Sequence, residues 1–258
     1  MPTPAPSQKQ CVQDRFGPAA SHYATASVHR QGKDLDAMLP AAALCGSERV
    51  LDVGCGAGHT AIAFAPHVER VDALDLTEAM LEQTRMAAKA AGLTNLQTMR
   101  GDVEAIPFAD ADFDLVTCRL CAHHFRSPAR ALGEIMRVLR PGGRLLLVDI
   151  VSPETGVEDT FLNAVELLRD PSHVRDWRLS EWLAMFGAAG FAAEVLTTWP
   201  LHLEFDSWVA RIGATPAAVR GLETVFDAAT REVRDHFAIE PSRSFRITNA
   251  LLRGRLTS

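Results

Sequence analysis

The chain has 258 residues, enough to bury a full hydrophobic core as one α/β domain. Its formal net charge is −6, and Arg140, Arg144, Arg253 and Arg255 are scattered, so the electrostatic footprint of a nucleic-acid binder is missing and a small-molecule ligand is expected. Five irregularly spaced cysteines, Cys11, Cys45, Cys55, Cys118 and Cys121, do not form a secreted disulfide framework, and no apolar run reaches membrane-spanning length. With no signal-like apolar stretch at its start, the sequence reads as a cytoplasmic protein with reduced thiols and no membrane partner.

In chain order, residues 1–10 read as a disordered tail and 11–258 as a single domain: a helical lid over 11–45, a core over 46–151, and a cap insertion with the last strands over 152–258. Arg49–Val53 is the first strand, followed at His59 by a short alanine-rich helix; residues 70–74 form the second strand, ending on Asp75. Thr77 is placed to cap a helix through Met80, Leu81 and Met86 that stops at Gly92. Leu96–Arg100 and residues 113–118 give strands three and four. Ser127-Pro128 opens a helix whose Leu132, Ile135, Val138 and Leu139 share one face, ended by Pro141-Gly142-Gly143. Residues 144–151 form a continuous apolar strand suited to the middle of a sheet covered on both faces. After Ser152 the alternation lapses for about thirty residues, which reads as an inserted cap, until Ser180 caps a helix over 181–189. Strands over 191–199 and 244–256, separated by helices near 207–212 and 217–237, complete a doubly wound, Rossmann-like α/β sheet.

The stretch with most chemical content is Asp52-Val53-Gly54-Cys55-Gly56-Ala57-Gly58, straight after a strand. Three alternate glycines let backbone press against a bound nucleotide, at the start of a helix whose free amides attract a negative group. A dinucleotide fingerprint needs glycine where His59 stands, so the loop is one residue too tight for a pyrophosphate and a nicotinamide oxidoreductase is disfavoured. At the other strand ends lie Asp75, able to accept from both ribose hydroxyls; Leu76; Met80, whose thioether suits an adenine face; Gly101-Asp102-Val103, with an acceptor for an exocyclic amine; and Cys118-Arg119.

In order and spacing these motifs resemble the class I S-adenosylmethionine-dependent methyltransferases, in the branch with ubiquinone and menaquinone C-methyltransferases and many small-molecule enzymes. The resemblance covers roughly residues 50–150 and includes Arg137-Val138-Leu139-Arg140-Pro141-Gly142-Gly143 before the fifth strand. It implies a seven-stranded sheet ordered 3-2-1-4-5-7-6 with an antiparallel last strand and helices on both faces. It also implies S-adenosyl-L-methionine as cofactor, bound through Asp52, Gly54, Cys55, Gly56, Gly58, Asp75, Leu76, Met80, Gly101, Asp102, Val103, Cys118 and Arg119. The segment from Phe16-Gly17 through His29 is similar to the lid of these enzymes, where His22, Tyr23 or His29 would contact the methionine end of the cofactor or cover the site, Tyr23 and His29 being counted with the cofactor-binding residues.

His123 and His124, in the loop behind the fourth strand, are candidate general bases because imidazole titrates near neutrality; the rival is a loop histidine bonded to backbone. With Cys118 and Cys121 they invite a zinc reading, set aside because no second pair follows at finger spacing. Arg119 suits a carboxylate, of the methionine end or of a substrate. His173, Arg175 and Trp177 fall in the inserted cap, and Phe161, Leu162, Trp177, Trp182 and Trp208 would suit either an apolar acceptor pocket or a helical core. The expectation is methyl transfer to oxygen, nitrogen, carbon or sulfur of a small molecule, without metal; the alternatives are a binder of the same fold with other chemistry or a regulatory role, and an enzyme acting on RNA or protein. The acceptor and the oligomeric state are not legible.

Overall fold

A computed structural model of the chain describes residues 5–25 and 32–256, with backbone alone for 22–25. Helices α1 (Gln8–Thr25) and α2 (Lys33–Ala42) precede strand β1 (Arg49–Val53). Then follow α3 (His59–Phe64), β2 (Arg70–Asp75), α4 (Glu78–Ala90), β3 (Leu96–Arg100), β4 (Phe113–Arg119), α5 (Pro128–Val138) and β5 (Leu139–Val151). The C-terminal part contains α6 (Gly156–Arg169), α7 (Leu179–Ala188), β6 (Phe191–Leu203), α8 (Phe205–Arg211), α9 (Pro216–Asp227), α10 (Arg231–Phe237) and β7 (Phe245–Leu256).

The strands form one seven-stranded sheet in the order β3-β2-β1-β4-β5-β7-β6, as expected. Pairing is parallel from β3 to β5, and β7 runs antiparallel to both of its neighbours. Apolar side chains alternate between two cores with the period of the pleat. Leu51, Val53, Leu145 and Leu147 face α5 and α7, whereas Val50, Leu146 and Val148 face α2 and α3. In α5 the residues Ala131, Leu132, Ile135 and Val138 are buried along one stripe, and Ser127 Oγ accepts from Arg130 N at its start. Burying each large aliphatic side chain stabilises the packing by roughly 1.5–3 kcal/mol. A third core, built by α6 and α8–α10 against the far ends of β6 and β7, collects Phe161, Leu162, Trp208, Phe226 and Phe245.

Several boundaries differ from the sequence reading. Helix α1 begins at Gln8, inside the expected tail, because Gln8 and Lys9 are tied to residues more than ninety positions away. The inserted cap contains α6, which carries buried Glu158, Asp159 and Glu166 on its inner side; Arg175 and Arg178 from the following loop pair with Asp159. Helix α7 starts two residues earlier than expected, with Arg178 at its N-cap and Glu181 Oε2 taking the Arg178 N–H at 2.9 Å, while Ser180 donates to Glu154 instead. The single helix expected over 217–237 is two, because Thr230 restarts the chain by capping α10. Strand β6 runs past Trp199 through Pro200 to Leu203; it lies at the sheet edge, where a residue without an N–H is tolerated. Of Trp182 and Trp208, the first packs from α7 into the core that α5 and α7 share with the sheet and the second in the third core. No helix among the described residues is long and apolar enough to cross a membrane.

Candidate functional site

The glycine loop is held from both sides. Cys55 N donates to Leu74 O at 3.0 Å, Gly56 N donates to Asp75 Oδ2 at 2.8 Å, and Thr84 Oγ1 of α4 donates to Gly56 O at 2.9 Å. Gly54, Gly56 and Gly58 all have positive φ, but for different surroundings. A Cβ on Gly54 would collide with Cys121 Sγ, and one on Gly58 would lie 2.6 Å from Thr84 Cγ2. At Gly56, where φ is +53°, nothing lies within 4 Å of that position: the backbone faces open space.

That space is a cavity lined by Gly54, Cys55, Gly56, Ala57, Asp75, Met80, Arg119, Leu120, Cys121 and His124, with Val12 and Phe16 of α1 above it. A second recess shares Val12, Gly54, Asp75, Cys121 and His124 and continues along Leu76, Gly101, Asp102 and Val103, flanked by Gln8 and Lys9. Asp75 therefore stands where the two meet. Its Oδ1 accepts from Thr77 N and its Oδ2 from Gly56 N, both at 2.8 Å, which fixes the carboxylate and leaves one lone-pair direction on each oxygen. Burial raises its pKa, against those two backbone bonds. Asp102 accepts from Glu104 N and is ion-paired with Lys9, which also reaches Glu104.

Other predicted residues lie off the cavity surface. Asp52 is buried beneath the loop, where Oδ1 accepts from Thr117 Oγ1 at 2.7 Å while Oδ2 has no partner; burial pushes its pKa up to about 7. Cys118 is fully buried in the core, and Gly58 is the N-cap of α3. Cys55 does line the cavity, its thiol pKa pushed well up by burial. Arg119 lines it too and is ion-paired with Asp34 of α2. His29 and the side chains of His22 and Tyr23 fall outside the described residues.

Behind β4 the chain turns sharply at Leu120, whose φ of +52° is unusual for a leucine, and enters a short 3-10 turn, Ala122–His124. Asp149 on β5 grips His123 twice, accepting from its backbone N at 3.0 Å and its Nδ1 at 2.7 Å. Burial alone would lower the pKa of His123, but the Asp149 carboxylate beside it holds it up to about 10. His124 is the reverse. Burial first, and the cationic His123 ring 4.2 Å away second, push its pKa down to about 4. Its Nδ1 lies 2.9 Å from the Ser172 carbonyl, an acceptor only, so the proton sits on Nδ1 and Nε2 keeps its lone pair. Gln8 Nε2 donates to the carbonyls of both His124 and Ser172, closing the start of α1 over this turn.

His124, Phe16 and Leu120 also border a third cavity, lined by His123, Ile150, Glu166, Arg169, His173, Asp176, Leu201, Leu203, Trp208 and Ile247. Thus His173 and Trp208 of the cap reach a pocket, whereas Arg175 is spent on Asp159 and stacks at 5.3 Å from the Trp177 ring. Sequence reasoning missed Lys9, Val12, Leu120, Asp149, Glu166 and Asp176. The helical lid expected over 11–45 and the Phe16-Gly17 resemblance pointed to α1, without naming these residues of it. Among the described residues no group of three or more His, Cys, Asp or Glu is placed to hold a metal ion.

A family profile described as a methyltransferase domain matches residues 51–147. The chain is 43% identical over 225 residues to the uncharacterized methyltransferase YcgJ of Bacillus subtilis (strain 168), covering 87% of this chain and 88% of that protein. The crystal structure of the YcgJ protein superposes with a TM-score of 0.85 at 39% identity, over 88% of this chain and 99% of that one. The ubiquinone/menaquinone biosynthesis C-methyltransferase UbiE of Dinoroseobacter shibae is 38% identical over 163 residues, 58% of this chain and 63% of its own.

Proposed function

The chain belongs to the class I S-adenosylmethionine-dependent methyltransferases, and from that premise we propose that the paired recesses around Asp75 hold the cofactor while the cavity beyond His124 holds the methyl acceptor. The enzyme transfers methyl to a small molecule; the relative named for quinone biosynthesis supports an acceptor of that size.

The residues present fit the cofactor. Gly56 offers bare backbone to an approaching ligand, and the remaining lone pairs of Asp75 suit the two ribose hydroxyls. Gly101, Asp102 and Val103 form the strip for the adenine, and Met80 supplies an apolar wall by the glycine loop. When bound, S-adenosylmethionine supplies a methyl group on a sulfonium, transferred in line to an acceptor atom. The protein's share is orientation and exclusion of water: Val12, Phe16 and Leu120 cover the junction of the cavities with apolar side chains.

His124 is the observation that carries the reading. It alone among the residues of the 3-10 turn borders all three cavities, it is neutral at pH 7, and its free lone pair is on Nε2. Such a group takes the proton of an O–H or N–H acceptor as the bond to methyl forms. In the test, His124→Gln is titrated calorimetrically with S-adenosylhomocysteine and assayed for labelled methyl transfer. The reading requires binding to persist and turnover to fall at least a hundredfold; undiminished turnover removes His124 from the chemistry.

A further inference from the structure

The acceptor cavity ends in buried polar atoms that the fold leaves unanswered. Asp176 is 1% exposed and lines the cavity, yet neither of its carboxylate oxygens has a hydrogen-bond partner. Glu166 Oε1 is likewise bare, although Oε2 takes Arg169 Nη1 at 2.7 Å. The position of Asp176 is not slack: its N–H donates to Asn163 Oδ1 at 2.8 Å and its carbonyl accepts from Asn163 Nδ2 at 3.3 Å. Buried acceptors without donors are destabilising, and native folds keep them mainly where a ligand or solvent supplies what is missing.

Charge points the same way. Around this cavity the buried charges come in pairs: His123 with Asp149, Arg169 with Glu166, and Arg15 with Asp170 at 3.6 Å. Asp176 makes no ion pair among the described residues; burial and the neighbouring Glu166 carboxylate push its pKa well up, against the pull of the His123 and Arg169 charges, and the lining combines apolar Ile150, Leu201, Leu203 and Ile247 with Arg169 and Arg211. We infer that Asp176 and Glu166 form an ammonium-binding end of the acceptor cavity, so that the methyl acceptor is a small apolar-bodied molecule carrying a primary amine remote from the methylated atom. An incoming ammonium would hold Asp176 ionised against its burial, and then three oxygens without donors, two on Asp176 and one on Glu166, match the three N–H bonds of a primary ammonium; a hydroxyl would satisfy only one. A protonated amine has no lone pair to methylate, so it serves as an anchor, and the nucleophile lies at the His124 end. The inference rests on the third cavity being the acceptor site.

The test uses the full-length enzyme saturated with S-adenosylhomocysteine, titrated calorimetrically with 2-phenylethylamine and with its neutral counterpart 2-phenylethanol. The amine is expected to bind at least tenfold tighter than the alcohol. In Asp176→Asn that preference falls below threefold while S-adenosylhomocysteine affinity is unchanged. An amine that binds no better than the alcohol, or not at all, overturns the inference, as does a preference that survives in Asp176→Asn. Should that variant fail to bind S-adenosylhomocysteine through misfolding, the wild-type pair of titrations and Glu166→Gln, expected to lose at least threefold in amine affinity, decide the matter. Failure of the wild-type enzyme to bind S-adenosylhomocysteine would instead overturn the cofactor reading.

Discussion

The same substitution placed two residues apart in the glycine loop is expected to fail in two different ways. In Gly56→Ala the new Cβ meets no protein atom within 4 Å, so the folded state bears only the strain of a left-handed alanine at φ +53°, about 1–2 kcal/mol, partly offset by a stiffer unfolded chain. For a chain of this size that is a fall in Tm of roughly 2–6 °C. The Cβ does, however, fill the ground where the ligand would lie against Gly56. In Gly58→Ala the Cβ lies 2.6 Å from Thr84 Cγ2 and 2.8 Å from Thr84 Oγ1, on a side chain that is fully buried and braces the loop through Gly56 O. Overpacking of about 1–3 kcal/mol then adds to the left-handed penalty, for a Tm loss of roughly 4–15 °C. Thermal unfolding with and without S-adenosylhomocysteine separates the two. A ligand at a hundred times its Kd raises wild-type stability by about 2.7 kcal/mol. Gly56→Ala should keep most of its stability and lose the ligand-dependent rise; Gly58→Ala should be destabilised without ligand. A full ligand-induced shift in Gly56→Ala would refute the placement of the cofactor against this backbone.

Asp75→Ala removes the carboxylate that also holds Gly56 N and Thr77 N, and S-adenosylhomocysteine affinity measured by calorimetry is expected to fall at least tenfold, with about 1.5–3 kcal/mol per charged hydrogen bond lost. The His123 pair predicts a slope of stability with pH. Its folded pKa, about 10, is raised, so the stabilisation is fully present below the unfolded value near 6.5 and is lost as pH rises through 10; denaturant unfolding of Asp149→Asn should lack that loss. On the proposed role His124, with its pKa lowered to about 4, would act in the neutral form, so turnover should hold its plateau down to near pH 5 and fall below it. In Asp149→Asn, His123 discharges, its repulsion of His124 disappears, and the acid limb of the pH–rate profile should move to higher pH; an unmoved limb would separate that limb from His124.

The sheet and the residues gathered around the paired recesses were legible because both depend on local pattern. Apolar runs such as Leu145–Val148 alternate with helical stripes, and Gly54, Gly56 and Asp75 sit at strand ends that a parallel sheet brings together. The third cavity was not legible, since its groups matter through distant partners. Asp149 reads as one polar residue in an apolar strand until His123 is seen against it, and α6 hides from a hydrophobic reading because Asp159 is buried only with Arg175 and Arg178 from a later loop. Lys9 was assigned to a loose tail, although its ion pairs with Asp102 and Glu104 bring α1 over the recess expected to take the adenine.

The arrangement is tested most directly by a crystal structure of the enzyme with S-adenosylhomocysteine. The account predicts both ribose hydroxyls on the Asp75 carboxylate, the homocysteine along Gly54–Gly56, and the sulfur facing the cavity that His124 and Leu120 share with the acceptor side. A ligand whose ribose lies away from Asp75, or whose sulfur points away from His124, would contradict it.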